Sequence, residues 1–115
     1  MPEVEHLQIL IVEGGDLIEF YQHVFYTRGS VTDFVYQLTI RPIVSEPRAR
    51  KTIRRYDCAH GFPHVDVYNL AGEQIRKDVI ETDSIDEASR LALQDILNHV
   101  ERYVGEYRNS ARKRP

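Results

Sequence analysis

The sequence predicts an α+β domain: an antiparallel β-meander of five or six strands packed against one long C-terminal helix. Three observations predict it. Short runs that alternate apolar and polar residues extend from Val4 to Ile80. Glycine- and proline-bearing turns separate those runs. After Ser84 the apolar spacing changes to steps of three and four, the period of a helix face.

The first run, Val4 to Val12, is β-branched and ends at Gly14-Gly15, a hairpin signal because tight turns need positive φ. Leu17 to Tyr26 sets Ile18, Phe20, Val24 and Tyr26 on one parity and Glu19 and His23 on the other. Arg28-Gly29-Ser30 reads as the second turn. Val31 to Arg41 then places Phe34, Tyr36, Leu38 and Ile40 against Asp33, Val35, Gln37 and Thr39, one buried face and one wetter. Pro42 and Pro47 bracket a connection, since proline lacks the donor a central strand needs. Lys51 to Asp57 resumes as a strand, His60-Gly61-Phe62-Pro63 turns, and His64 to Leu70 forms the next strand. After Ala71-Gly72-Glu73, Gln74 to Ile80 completes the meander. Ser84-Ile85-Asp86-Glu87 fits a capping box, with Asp86 and Glu87 near the positive end of the helix dipole. From Ile85 through Ala88, Ala92, Ile96, Val100 and Tyr103 to Tyr107 the apolar residues describe one amphipathic helix.

The chain has 115 residues, the size of one domain, here assigned to 1–108 with a basic disordered tail at 109–115. Its 42% apolar and 29% charged residues are ordinary for a globular protein. No apolar run approaches the length of a membrane span, and the N-terminus lacks a secretory leader, so a soluble, cytoplasmic protein is expected. Cys58 is the only cysteine, which excludes an internal disulfide and a thiolate zinc knuckle. No cofactor is expected.

The net charge of −3 hides an asymmetry. Arg41, Arg48, Arg50, Lys51, Arg54 and Arg55 face only Glu46 within residues 41–55, a local charge of +5. Residues 108–115 add +4, and the remainder carries −12. A local basic stripe can cradle phosphates even on an acidic protein, whereas the plainer reading is a solvated loop and a solubilising tail.

That stripe runs into a stretch dense in reactive side chains, Arg54-Arg55-Tyr56-Asp57-Cys58-Ala59-His60-Gly61-Phe62-Pro63-His64-Val65-Asp66-Val67-Tyr68. If Tyr56 and His64 pair across the turn, then His64, Asp66 and Tyr68 share one face. Three readings compete. In a metal-independent nuclease, His60 and His64 serve as base and acid, because an imidazole titrates near neutrality. Arg54 and Arg55, with Lys51 and Arg50, then hold the phosphate, Asp66 or Asp57 orients an imidazole, and Tyr56 stacks or donates. In a metal site, the two histidines and Asp66 or Asp57 are the ligands, although the adjacent arginines would repel a cation. In a structural cluster, an Arg–Asp pair fastens the turn. Cys58 fits an inert packing residue better than an activated thiolate. His23 and His99 read as exposed polar positions, Tyr103 and Tyr107 as helix-face packing, and Asp33 and Glu19 as acids with no partner at a telling spacing.

The pattern Arg55-Tyr56-Asp57-x-Ala59-His60-Gly61-x-x-His64-x-Asp66, followed by Ile75-Arg76-Lys77 and a long helix, resembles small prokaryotic proteins that carry Arg-Tyr-Asp-x-x-His-Gly-x-x-His. These are similar to the TumE-like toxins of toxin–antitoxin systems. The resemblance spans roughly residues 31–107 and implies a small RNA-binding or RNA-cleaving toxin neutralised by an antitoxin protein. It implies functional roles for Arg55, Tyr56, Asp57, His60, His64 and Asp66. TumE-like members often show further histidines in the turn, where this chain has Asp66 and Tyr68. The competing expectation is a non-catalytic interaction module, a homodimer or partner-binding protein whose edge strand, Val4–Val12 or residues 31–41, pairs with another chain.

Overall fold

The computed structural model describes residues 2–58 and 61–110. Six strands follow one another as β1 (Glu3–Glu13), β2 (Asp16–Thr27), β3 (Ser30–Pro42), β4 (Lys51–Asp57), β5 (His64–Tyr68) and β6 (Gln74–Val79). A 3-10 turn, Pro47–Ala49, interrupts the β3–β4 connection, and helix α1 spans Ile85–Arg108. All neighbouring strands pair antiparallel, and their spatial order equals their chain order.

The turns explain the meander. Gly14 and Gly15 take φ of 57° and 81°, so the β1–β2 connection needs only two residues. Arg28 and Gly29 repeat this geometry between β2 and β3, with φ of 52° and 81°. Strand β5 ends at Tyr68 rather than Leu70, because the Asn69 side chain accepts from the backbone nitrogens of Ala71 and Glu73 and curls the chain.

Helix α1 lies across one face of the sheet, chiefly on β3 and less on β4. Ser84 Oγ accepts from Glu87 N at 3.1 Å, the expected cap. Asp86 Oδ1 accepts from Val31 N at 2.8 Å and ties the helix start to β3. At the other end Arg108 bonds Glu13 and Asp16 across the first hairpin. Asn109 N bonds Gly105 O, and Ser110 Oγ accepts from Leu70 N. The core between the layers holds Ile18, Phe20, Phe34, Leu38, Ile53 and Ile96, each almost wholly buried. Every such large apolar side chain contributes about 1.5–3 kcal/mol on burial. The second face of the sheet has no covering element among the described residues, and both edge strands are largely exposed.

Candidate functional site

Alternation along β4 sends Arg54 and Tyr56 toward α1 and Arg55 and Asp57 to the uncovered face. Strand β5 pairs in the register Asp57↔His64, Tyr56↔Val65 and Arg55↔Asp66. Tyr56 therefore does not oppose His64, as the sequence suggests. Register follows the length of the connection, and a shift of one residue moves a side chain to the other face. Adjacent Arg54 and Arg55 likewise cannot grip one phosphate together.

On the uncovered face, the hairpin gathers Arg55, Asp57, His64 and Asp66. His64 is only 2% exposed. Its Nδ1 lies 3.2 Å from the Phe62 carbonyl oxygen. Its Nε2 lies 3.0 Å from Asp57 Oδ1 and 3.5 Å from Asp66 Oδ2. Both nitrogens thus face acceptors. Arg55 Nε meets Asp57 Oδ2 at 2.7 Å, with 42% of the arginine side chain exposed. Asp66 Oδ1 is buried without a hydrogen-bond partner among the described residues. An imidazole enclosed on both nitrogens fastens two carboxylates and has neither nitrogen open to a substrate. Arg55 is the member that reaches solvent. His60 lies outside the described residues.

Among the described residues, no three His, Cys, Asp or Glu side chains are grouped to hold a metal ion. Cys58 is half-buried, and burial pushes its thiol up to about 11, which keeps it protonated at neutral pH.

Further along the same face, the basic stretch finds an anchor the sequence does not advertise. Glu19 Oε1 accepts from Arg41 Nε at 2.9 Å and from Arg50 Nε at 3.1 Å. Glu19 is 3% exposed despite lying on the uncovered face. Burial raises its carboxyl, but the hydrogen bonds and charges of Arg50 and Arg41 outweigh this and hold it below the ordinary range. Two guanidiniums on one carboxylate leave a positive charge over. Lys51, next in the chain, is exposed. Arg50 lines a groove of about 480 Å³ together with Tyr21, Gln37, Thr39, Leu7 and Glu5. Tyr21 opens an aromatic row along β2, with His23 edge-on to it and Phe25 with its ring centroid 4.4 Å from that of His23. Glu3 accepts from His23, and Glu5 from Tyr21.

The helix-side cluster has other members. Tyr56 donates to Asp95 Oδ2, and Tyr103 donates to Asp95 Oδ1 at 2.6 Å. Arg54, 5% exposed, donates from Nε to the Tyr56 hydroxyl at 3.1 Å. Its guanidinium carbon stands 3.8 Å from the Tyr103 ring centroid, a cation–π contact. Burial raises the Asp95 carboxyl, but the two tyrosine bonds and the Arg54 and His99 charges outweigh it and hold it low. Burial pushes the Tyr56 phenol up, so it stays a donor. His99 breaks the helical dihedrals at φ −130°, ψ 18°. No proline or glycine sits there; the His99 Nδ1 lies 3.0 Å from the Asp95 carbonyl oxygen and enters the backbone ladder. Asp95, His99 and Tyr103 are absent from the sequence-derived site, although their spacing of four along a helix puts them on one face.

The family described as "Domain of unknown function (DUF7718)" matches residues 15–113. The chain belongs to this family. The DUF7718 match takes in β2 through β6 and α1, hence the His64 and Asp95 clusters and the Glu19 arginine pair, while β1, with the groove residues Glu5 and Leu7, precedes it. No curated protein and no solved structure matches the chain. No helix among the described residues is long and apolar enough to cross a membrane.

Proposed function

We propose that this DUF7718 protein is a toxin-like, RNA-binding or RNA-cleaving protein, related in action to the TumE-like toxins, that works in the cytoplasm under an antitoxin partner. One observation supports the reading above others. The uncovered face sets the aromatic row Tyr21, His23 and Phe25 beside the arginines Arg50 and Arg55. Single-stranded RNA is bound in this way, with bases stacked on aromatic rings and phosphates on guanidiniums. In this reading Arg55 and Arg50 hold phosphates, and His60 is the acid/base group on the β4–β5 connection. His64, Asp57 and Asp66 keep the hairpin in shape, and Arg54 and Tyr56 support it from the helix side.

Inducible expression in a bacterial host tests it, with growth and total RNA integrity read together. Wild type is expected to arrest growth and degrade RNA, and His60→Ala to do neither while remaining folded. Intact RNA and normal growth with both proteins would sink the cleavage reading. A second reading, an interaction module, rests on β1: an eleven-residue edge strand with Val4, Leu7, Ile9 and Val12 all exposed. A stable dimer by light scattering, with no effect on RNA, would favour it.

A further inference from the structure

We infer that the groove on the uncovered face is a one-nucleotide subsite in which Arg50 takes the phosphate and Tyr21 stacks the base. The inference rests on the RNA reading and deepens it.

The argument starts from Glu19. A carboxylate on an otherwise open sheet face gains nothing from burial by itself, since water solvates it better. Here it is buried because two arginines fold over it, Arg41 from the end of β3 and Arg50 from beyond it, across sequence separations of 22 and 31. The result is a fixed Arg50. Its Nε is committed to Glu19, while its terminal nitrogens have no partner among the described residues. Arg41 is bound more fully, since its Nη1 also donates to the Ser45 carbonyl at 3.1 Å. The surplus positive charge therefore sits at Arg50, in the lining of the groove. A planar fork with free donors suits a phosphate oxygen pair.

The remaining walls suit a base. Tyr21 is held by its hydroxyl, which donates to Glu5 Oε2 at 2.5 Å, so its ring is fixed beside the cation. Among the described residues that line the groove Glu5 is the one acid, and it is engaged in that bond. Gln37 donates from its amide nitrogen to Thr52 Oγ1 at 2.5 Å, which orients the amide and leaves its oxygen as an acceptor for a base amino group. Leu7 supplies an apolar wall. The volume of about 480 Å³ falls in the range of small-molecule sites.

The test is titration of the full chain against a fluorescein-labelled single-stranded RNA of mixed sequence across a salt series. Arg50→Gln should weaken binding and reduce the slope of log affinity against log salt by about 0.7, one phosphate contact on a single strand. Tyr21→Leu should weaken binding about fivefold or more with the slope unchanged, as loss of a stacked base does. Arg102→Gln, exposed on the helix side, should bind as wild type does. Arg41 stays on Glu19 in Arg50→Gln, and thermal melts verify that each variant folds. Wild-type affinity in both groove variants would overturn the subsite and leave the RNA reading standing. No RNA binding by wild type would overturn both. Competition by inorganic phosphate as strong as by uridine monophosphate would overturn the base-stacking half.

Discussion

Arg54 and Arg55 are adjacent and carry the same charge, yet the two faces of β4 use them in different ways. Toward the helix, Arg54 lies over Tyr103 and donates to Tyr56, and its charge is absorbed by Asp95 through that network. On the other face, Arg55 bonds Asp57 with one nitrogen and keeps much of its side chain in water. Burial turns one arginine into packing, and exposure leaves the other able to meet a ligand. The lesson is that a run of basic residues in a strand is two half-runs, and only one of them bears on phosphate binding.

The largest effect should come from removing the imidazole that links the open-face carboxylates. His64→Ala leaves Asp57 and Asp66 close together without the ring between them, and leaving a buried charged acceptor without its partner costs about 3 kcal/mol. Urea unfolding should show the free energy of unfolding fall by that amount, with a lower midpoint; an unchanged midpoint would mean the hairpin does not depend on the cluster.

Glu19→Gln probes the same face through pH. Folding holds the Glu19 carboxyl below its ordinary value of 4.5. Its ion pairs thus add stability above that value, and the addition is lost as pH falls through the folded-state value. The substitution should cost about 2 kcal/mol at neutral pH, the scale of hydrogen bonds to a charged group. The gap to wild type should close in acid, as melting curves at several pH values would record. A gap that stays constant with pH would show that Glu19 contributes by packing alone.

The smallest effect belongs to the helix side. Asparagine places a donor near the Nδ1 position, so His99→Asn should keep the bend in α1 and melt within about 0.5 kcal/mol of wild type. His99→Ala, which loses the bond to the Asp95 carbonyl, should melt lower by about 1 kcal/mol. Equal melting of the two would assign the bend to tertiary packing.

Much of the fold was legible because its signals are local. The β2 and β3 parities sort Ile18, Phe20, Phe34 and Leu38 from Glu19, Val35 and Gln37, and the capping box at Ser84 marks the helix start. The site was less legible because its decisive contacts are not local. Whether His64 faces Asp57 or Tyr56 depends on how the β4–β5 connection spends its residues, which side-chain chemistry does not disclose. Parity assigns Glu19 to the wetter face correctly but says nothing of burial there, which comes from Arg50 folding back from far along the chain. Asp95, His99 and Tyr103 show the reverse case: their spacing was in view, but an apolar-stripe reading of the helix passes over Asp95 and His99 at its edge and takes Tyr103 for packing alone.

The clasp between Arg108 and the first hairpin has a consequence for how the molecule is made. Each strand pairs with the strand just before it, so the sheet can zip up in the order of synthesis. The bonds from Arg108 to Glu13 and Asp16 instead join residues separated by 95 and 92 positions. A nascent chain therefore carries a nearly complete sheet whose apolar face, with Phe20, Phe34 and Leu38, waits uncovered until the final helix leaves the ribosome. That interval is when a chaperone, or a partner with an apolar helix of its own, would find the most surface to hold.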